Sequence, residues 1–170
     1  MSFDLIKLVV LIFCIGSVLF DLRFRRVPNY FILLGLGITF SVCIFNSMSW
    51  IFVGTHLTSV LVTLITGFIL WRFGALGAGD VKVLAVAAIS FEWKSSLEFF
   101  FYSLAWGALL GMTALILEKG LVTVVNKFNF NSIMTIRTLG IGDHKIPFTV
   151  AVLFGLLSAW LLESKGVHFL

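Results

Sequence analysis

Charge is what this chain has least of. Of its 170 residues, 12% are charged and 60% are hydrophobic, whereas soluble globular domains carry about a quarter of their residues charged. A soluble domain is therefore excluded. The longest polar stretch, Glu118–Lys145, itself contains apolar pieces such as Leu121–Val125, so no separate soluble domain fits inside it. Cysteine is nearly missing: Cys14 and Cys43 sit within apolar runs without CxxC spacing, which reads as small buried hydrophobes and neither a disulfide framework nor a zinc site. His56, His144 and His168 are scattered, with no HExxH and no His/Cys cluster, so the sequence gives no metal site. Gly-x-Ser-x-Gly is absent too, and Ser17, Ser59 and Ser103 read as helix-packing residues rather than nucleophiles.

Long apolar runs are what the chain does have: Leu5–Phe20, Tyr30–Phe45, Trp50–Trp71, Val81–Phe91, Leu97–Leu117 and Ile146–Leu162. Several approach the roughly 20 residues that a spanning helix needs. The expected fold class is an all-α integral membrane protein of about six transmembrane helices, near residues 4–20, 30–45, 50–71, 80–93, 97–117 and 146–162. These form a single membrane-embedded domain over 1–170, with a cytoplasmic loop at 118–145. The first run lacks the basic flank and small-residue cleavage site of a signal peptide, so it is expected to remain as a helix. Trp50, Trp71 and Trp93 fall at run ends, where interfacial anchors belong. The fourth run is short. Even extended from Asp80 to Trp93 it reaches only about 21 Å against a hydrocarbon core of about 30 Å. It is expected to begin below the membrane surface, with "GALGAGD" as irregular backbone covered by protein or water.

Lysine and arginine set the orientation. With the Asp21–Asn29 loop in the cytoplasm, Arg23, Arg25, Arg26, Arg72, Lys82, Lys119, Lys127, Arg137 and Lys145 are all inside, and only Lys7, Lys94 and Lys165 are outside. Both termini then lie outside. The net charge of +4 fits anionic lipid headgroups, and no interleaving of basic and aromatic residues points to nucleic acid.

Eight acidic residues remain to be weighed, and two of them share one local setting, Gly-x-Gly-Asp, at Asp80 and Asp143. Asp21 follows the apolar part of the first helix, where the macrodipole disfavours an anion. It is either paired with Arg23, Arg25 or Arg26 at headgroup level or functional. Asp80 reads as the N-cap of the helix beginning at Val81. Capping does not account for Gly74, Gly77 and Gly79 crowded ahead of it, which admit unusual backbone angles and close approach by another chain. Asp143 precedes "HKIPF", with Pro147 opening the last helix, and reads as a solvated turn residue. Glu118 reads as a boundary charge beside Lys119. Two acids at similar depth in a low-dielectric cleft share a proton, which is the arrangement of aspartic protease chemistry.

"DLRFRRVPNY", with Asp21 ahead of Val27, Pro28 and Asn29, together with "GAGDVK" opening a later helix, resembles the paired signatures of type IV prepilin peptidases, membrane aspartic proteases of the GxGD type. "KIPF" opening the last run is similar to that family's Ile-Pro-Phe. The resemblance implies a GxGD aspartic protease fold with Asp21 and Asp80 as the catalytic dyad, and Gly77, Gly79, Lys82, Pro28 and Asn29 as site-shaping or substrate-binding residues. It implies no cofactor and no metal. The activity implied is removal of the short basic leader from a prepilin or pseudopilin, at the cytoplasmic face of a bacterial inner membrane. Arg23, Arg25, Arg26 and Lys82 are expected at lipid phosphates, paired with Asp21, or against an acidic residue of the pilin. The chain lacks the extra cytoplasmic region with paired CxxC motifs found in longer members, so the resemblance lends no support to N-methyltransferase activity. It resembles the short forms of tight-adherence (Flp-type) pilus systems, although "PFTV" departs from the Pro-Phe-Gly-Pro of longer members. The competing reading from a different class is a small ion-coupled transporter or membrane scaffold using Asp21 and Asp80 as cation or proton sites.

Overall fold

The structure, a computed structural model, describes residues 2–46, 50–119 and 147–166. Among these residues every element is helical: α1 (Ser2–Phe24), α2 (Asn29–Asn46), α3 (Trp50–Arg72), α4 (Ala78–Ala87) continued by a 3-10 turn (Ala88–Ser90), α5 (Trp93–Lys119) and α6 (Phe148–Ser164). Three are long and apolar enough to cross a membrane, over Leu5–Phe24, Val53–Arg72 and Trp93–Ala114. Asn29–Phe45 and Phe148–Ser164 are apolar but shorter. The expected cytoplasmic loop falls mostly on 120–146, outside the described residues, and Asp143 lies there with it.

Apolar side chains on the long helices divide between a core and a broad outer face. On α1, Ile6, Val10, Phe13, Cys14 and Ser17 are buried, a stripe of three- and four-residue steps that turns one face inward. Leu8, Ile12 and Leu19 are exposed on the other side. That face suits lipid, because a hydrocarbon solvent imposes no penalty on exposed leucine. α3, bracketed by exposed Trp50 and Trp71, is about 35 Å long at 1.5 Å per residue, enough to cross the hydrocarbon core.

α4 is of a different kind. Val81, Val83, Leu84, Ala85, Val86 and Ala87 are all buried, so it is enclosed nearly all round by α1, α2, α3 and α6. Its ten residues span only about 15 Å. The apolar run 80–93 is thus not one helix: regular geometry stops at Ala87, and Trp93 already opens α5. A helix that ends inside a bundle leaves carbonyls without partners, and here side chains supply them. Ser90 Oγ donates to the Ala87 carbonyl at 2.8 Å. Ser59 Oγ on α3 donates to Ala88 at 2.8 Å, and His56 Nδ1 donates to Ile89 at 2.7 Å. All three donors are buried. His56 and Ser59 therefore fasten the far end of α4 to α3, which sets the depth at which its near end begins.

α5 and α6 pack closely through small residues. A Cβ on Gly155 would come within 2.7 Å of the Ser103 backbone, and Trp106 Nε1 donates to Ser158 Oγ at 2.9 Å. α6 runs antiparallel to α1: Lys7 and Glu163 form an ion pair of 2.9 Å at one end, while Asp21 and Thr149 meet at the other.

Candidate functional site

The inward stripe of α1 continues by one four-residue step from Ser17 to Asp21, so the last turn of the helix aims a carboxylate at the bundle interior. The helix does not stop before Asp21, as its apolar run does, but continues to Phe24. Arg25 then takes a positive φ of 53° and its amide closes the turn on the Asp21 carbonyl at 2.8 Å. That left-handed residue ends the helix. Pro28 begins the return: its carbonyl accepts from the amides of Phe31 (3.1 Å) and Ile32 (3.2 Å), as the residue before a helix should. The Val27-Pro28-Asn29 segment thus brings the start of α2 back beside the end of α1.

Three glycines precede Asp80, and the structure gives them separate tasks. Gly74 (φ 75°) stops α3: its amide donates to Trp71 O at 2.9 Å, and the next amide, of Ala75, reaches Leu70 O at 2.9 Å. This pair of bonds is a Schellman motif, which requires a residue at positive φ. Gly77 is the residue that caps α4, in extended conformation. Asp80 is accordingly not the N-cap, contrary to expectation; it is the third helical residue, and its Oδ2 accepts from the Gly77 amide at 3.2 Å. A Cβ at position 77 would lie 2.8 Å from that oxygen, so glycine there makes room for the carboxylate to fold back. Nothing lies within 4 Å of where a Cβ on Gly79 would be.

Asp80 is partly buried in the first turn of α4, outside the three membrane-capable helices. Burial pushes its carboxyl up to about 6, the Gly77 amide pulls it down, and the charge of Asp21 pushes it up again. Asp21 is therefore near enough to act on Asp80 electrostatically. Asp21 is itself partly buried and accepts a hydrogen bond from Thr149 Oγ1 at 2.8 Å. The expected arginine partners are not there: among the described residues no ion pair joins Asp21 to Arg23, Arg25 or Arg26, and Arg23 lies over the Phe24 ring at 5.7 Å. Lys82 does not pair with an acid among the described residues either. Its Nζ donates to Asn29 Oδ1 at 2.9 Å, tying the first turn of α4 to the start of α2.

One end of the bundle thus holds Asp21, Pro28, Asn29, Gly77, Gly79, Asp80 and Lys82. Sequence reasoning missed Thr149, whose only signal is a polar side chain two residues after Pro147 at the head of an apolar run. It also missed His56 and Ser59 as supports of α4, since nothing in the sequence announces where a buried helix will end. No group of His, Cys, Asp and Glu among the described residues is placed to hold a metal ion.

Comparison with curated proteins and with solved structures gives no match. Comparison with protein-family models gives one, to the type IV leader peptidase family over residues 8–112. That stretch is more than half of the chain and includes α1 through most of α5, with both Asp21 and Asp80. With its membrane-capable helices and its two acids at one end of the bundle, the chain belongs to the type IV leader peptidase family.

Proposed function

We propose that the chain is a membrane aspartic endopeptidase that removes the short basic leader from type IV prepilins or pseudopilins. Its dyad is Asp21 and Asp80, placed at the cytoplasmic face of a bacterial inner membrane. The observation that carries this reading is the placement of two carboxylates at one bundle end with no ion pair to either among the described residues, Asp80 being pushed toward its protonated form by burial and by Asp21. A carboxyl that holds its proton more readily than an ordinary one is suited to the acid half of acid–base hydrolysis.

In the reaction, the ionised carboxylate takes a proton from water as the water oxygen bonds to the scissile carbonyl carbon. The protonated partner gives its proton to the carbonyl oxygen. The tetrahedral diol then collapses: the C–N bond breaks, the first carboxyl passes its proton to the leaving amine, and the second recovers one from the diol hydroxyl. Each aspartate ends as it began, and one water is consumed. Neither a metal nor a nucleophilic side chain enters these steps. The open side at Gly79 gives an extended peptide a place to approach, and Pro28, Asn29, Gly77 and Lys82 shape the floor around it.

The test is co-expression with a Flp-type prepilin, following the size of the substrate on a gel. Asp21→Asn and Asp80→Asn are each expected to abolish cleavage at normal membrane levels, while Asp143→Asn leaves it intact. Cleavage lost in Asp143→Asn but kept in Asp80→Asn would mean that the other Gly-x-Gly-Asp carries the chemistry.

A further inference from the structure

Thr149 lies beyond the stretch that matches the family, residues 8–112, yet its side chain is in contact with Asp21. It is 1% exposed, and Oγ1 donates to Asp21 Oδ2 at 2.8 Å across 128 residues of sequence. Several buried hydroxyls in this bundle turn back on their own helix, as Thr39 does to Gly35 O at 2.7 Å, Ser17 to Phe13 O at 2.9 Å and Ser103 to Phe99 O at 2.9 Å. That is the ordinary behaviour of a serine or threonine inside a helix. Thr149, like Ser59 with its bond to the Ala88 carbonyl, reaches across to another element, and here the acceptor is an acid.

Its register explains why. Thr149, Val152, Leu156 and Ala159 form the buried row of α6, and Thr149 is the first of them, in the opening turn. The antiparallel pairing of α1 with α6 puts the opening turn of α6 beside the closing turn of α1. The positive end of one helix dipole thus faces an anion that the negative end of the other disfavours. A carboxylate has two oxygens with about four acceptor sites. With one oxygen engaged by a buried, sterically fixed hydroxyl, the plane and tilt of the group are set before any substrate arrives.

We propose that Thr149 is a positioning residue for the dyad: its hydroxyl holds Asp21 Oδ2 and leaves Oδ1 as the oxygen that meets the reacting water. This rests on the reading of Asp21 and Asp80 as catalytic. Thr149 touches neither substrate nor water; it acts through Asp21. Its removal therefore acts on kcat and leaves KM nearly unchanged, because the peptide is bound by other groups.

Three variants test this with purified enzyme and a synthetic prepilin fragment in detergent: Thr149→Val, which keeps shape and removes the hydroxyl, Thr149→Ala as a second hydroxyl-free variant, and Thr149→Ser, which restores it. Val and Ala are expected to lower kcat about ten- to a hundredfold, the range of one hydrogen bond to a charged group, with KM within about twofold. Ser is expected to recover kcat to within about threefold of wild type. Wild-type kcat in Val and Ala would overturn the proposal. So would an equal loss in Val, Ala and Ser, since packing of the methyl and not the hydroxyl would then be responsible. Inactive wild type against several prepilins is a separate result, which removes the peptidase reading and this proposal with it.

Discussion

The two ends of the bundle treat polar groups in opposite ways. At the end where α4 stops, three consecutive carbonyls each meet a buried side-chain donor, and nearby Lys7 and Glu163 neutralise each other. At the end where α4 starts, two carboxylates lie within electrostatic reach of each other. They are held by one hydroxyl and one amide at 3.2 Å, while the nearby cations contact Asn29 and Phe24. These side-chain donors make the first end an anchor. Leaving like charges together at the second is costly in a low-dielectric setting, and such arrangements persist where chemistry uses them. α4 joins the two: its fixed end determines where its charged end sits.

Breaking the anchor should have the larger effect. His56→Leu leaves the Ile89 carbonyl buried without its donor, a loss of about 1–3 kcal/mol, read as a fall of several degrees in the thermal midpoint in detergent. The same substitution is expected to lower cleavage by more than the folded fraction accounts for, because α4 loses its depth reference. An unchanged midpoint would mean that α4 is not held from that end.

A smaller effect is expected from the tie on the other side. Lys82→Met removes the hydrogen bond to Asn29, which is exposed, and is expected to reduce cleavage about two- to fivefold, as a single modest hydrogen bond does. Asn29→Leu should match it, and the double variant should be no worse than either alone. Additive losses would show that Lys82 meets the substrate directly rather than steadying α4.

Much of this bundle was legible because hydrophobic runs of helical length have few alternatives in lipid. Trp50–Trp71 and Tyr30–Phe45 lie within a residue of helices α3 and α2. The run 80–93 misled because apolarity alone does not distinguish a buried helix from a 3-10 turn or from the start of the next helix. The shared setting of Asp80 and Asp143 was visible, but the division of labour among Gly74, Gly77 and Gly79 was not, since a Schellman stop and a cap are told apart only by backbone angles. The partner of Asp21 was equally hidden. The sequence offered the neighbouring arginines as partners, and tertiary packing chose a neutral hydroxyl 128 residues away.

The central claim is that Asp21 and Asp80 act on each other, and a titration reads it directly. With aspartate carboxyl carbons labelled with carbon-13 and resonances assigned by single Asp→Asn substitutions, the Asp80 carboxyl is expected to lose its proton near pH 6, not near the ordinary 3.8. Cleavage should decline on the alkaline side as that proton is lost. In Asp21→Asn the Asp80 midpoint should move down, because the neighbouring charge no longer opposes ionisation, yet stay above the ordinary value, because burial is the larger cause. A midpoint that does not move in Asp21→Asn would contradict the pairing of these two acids.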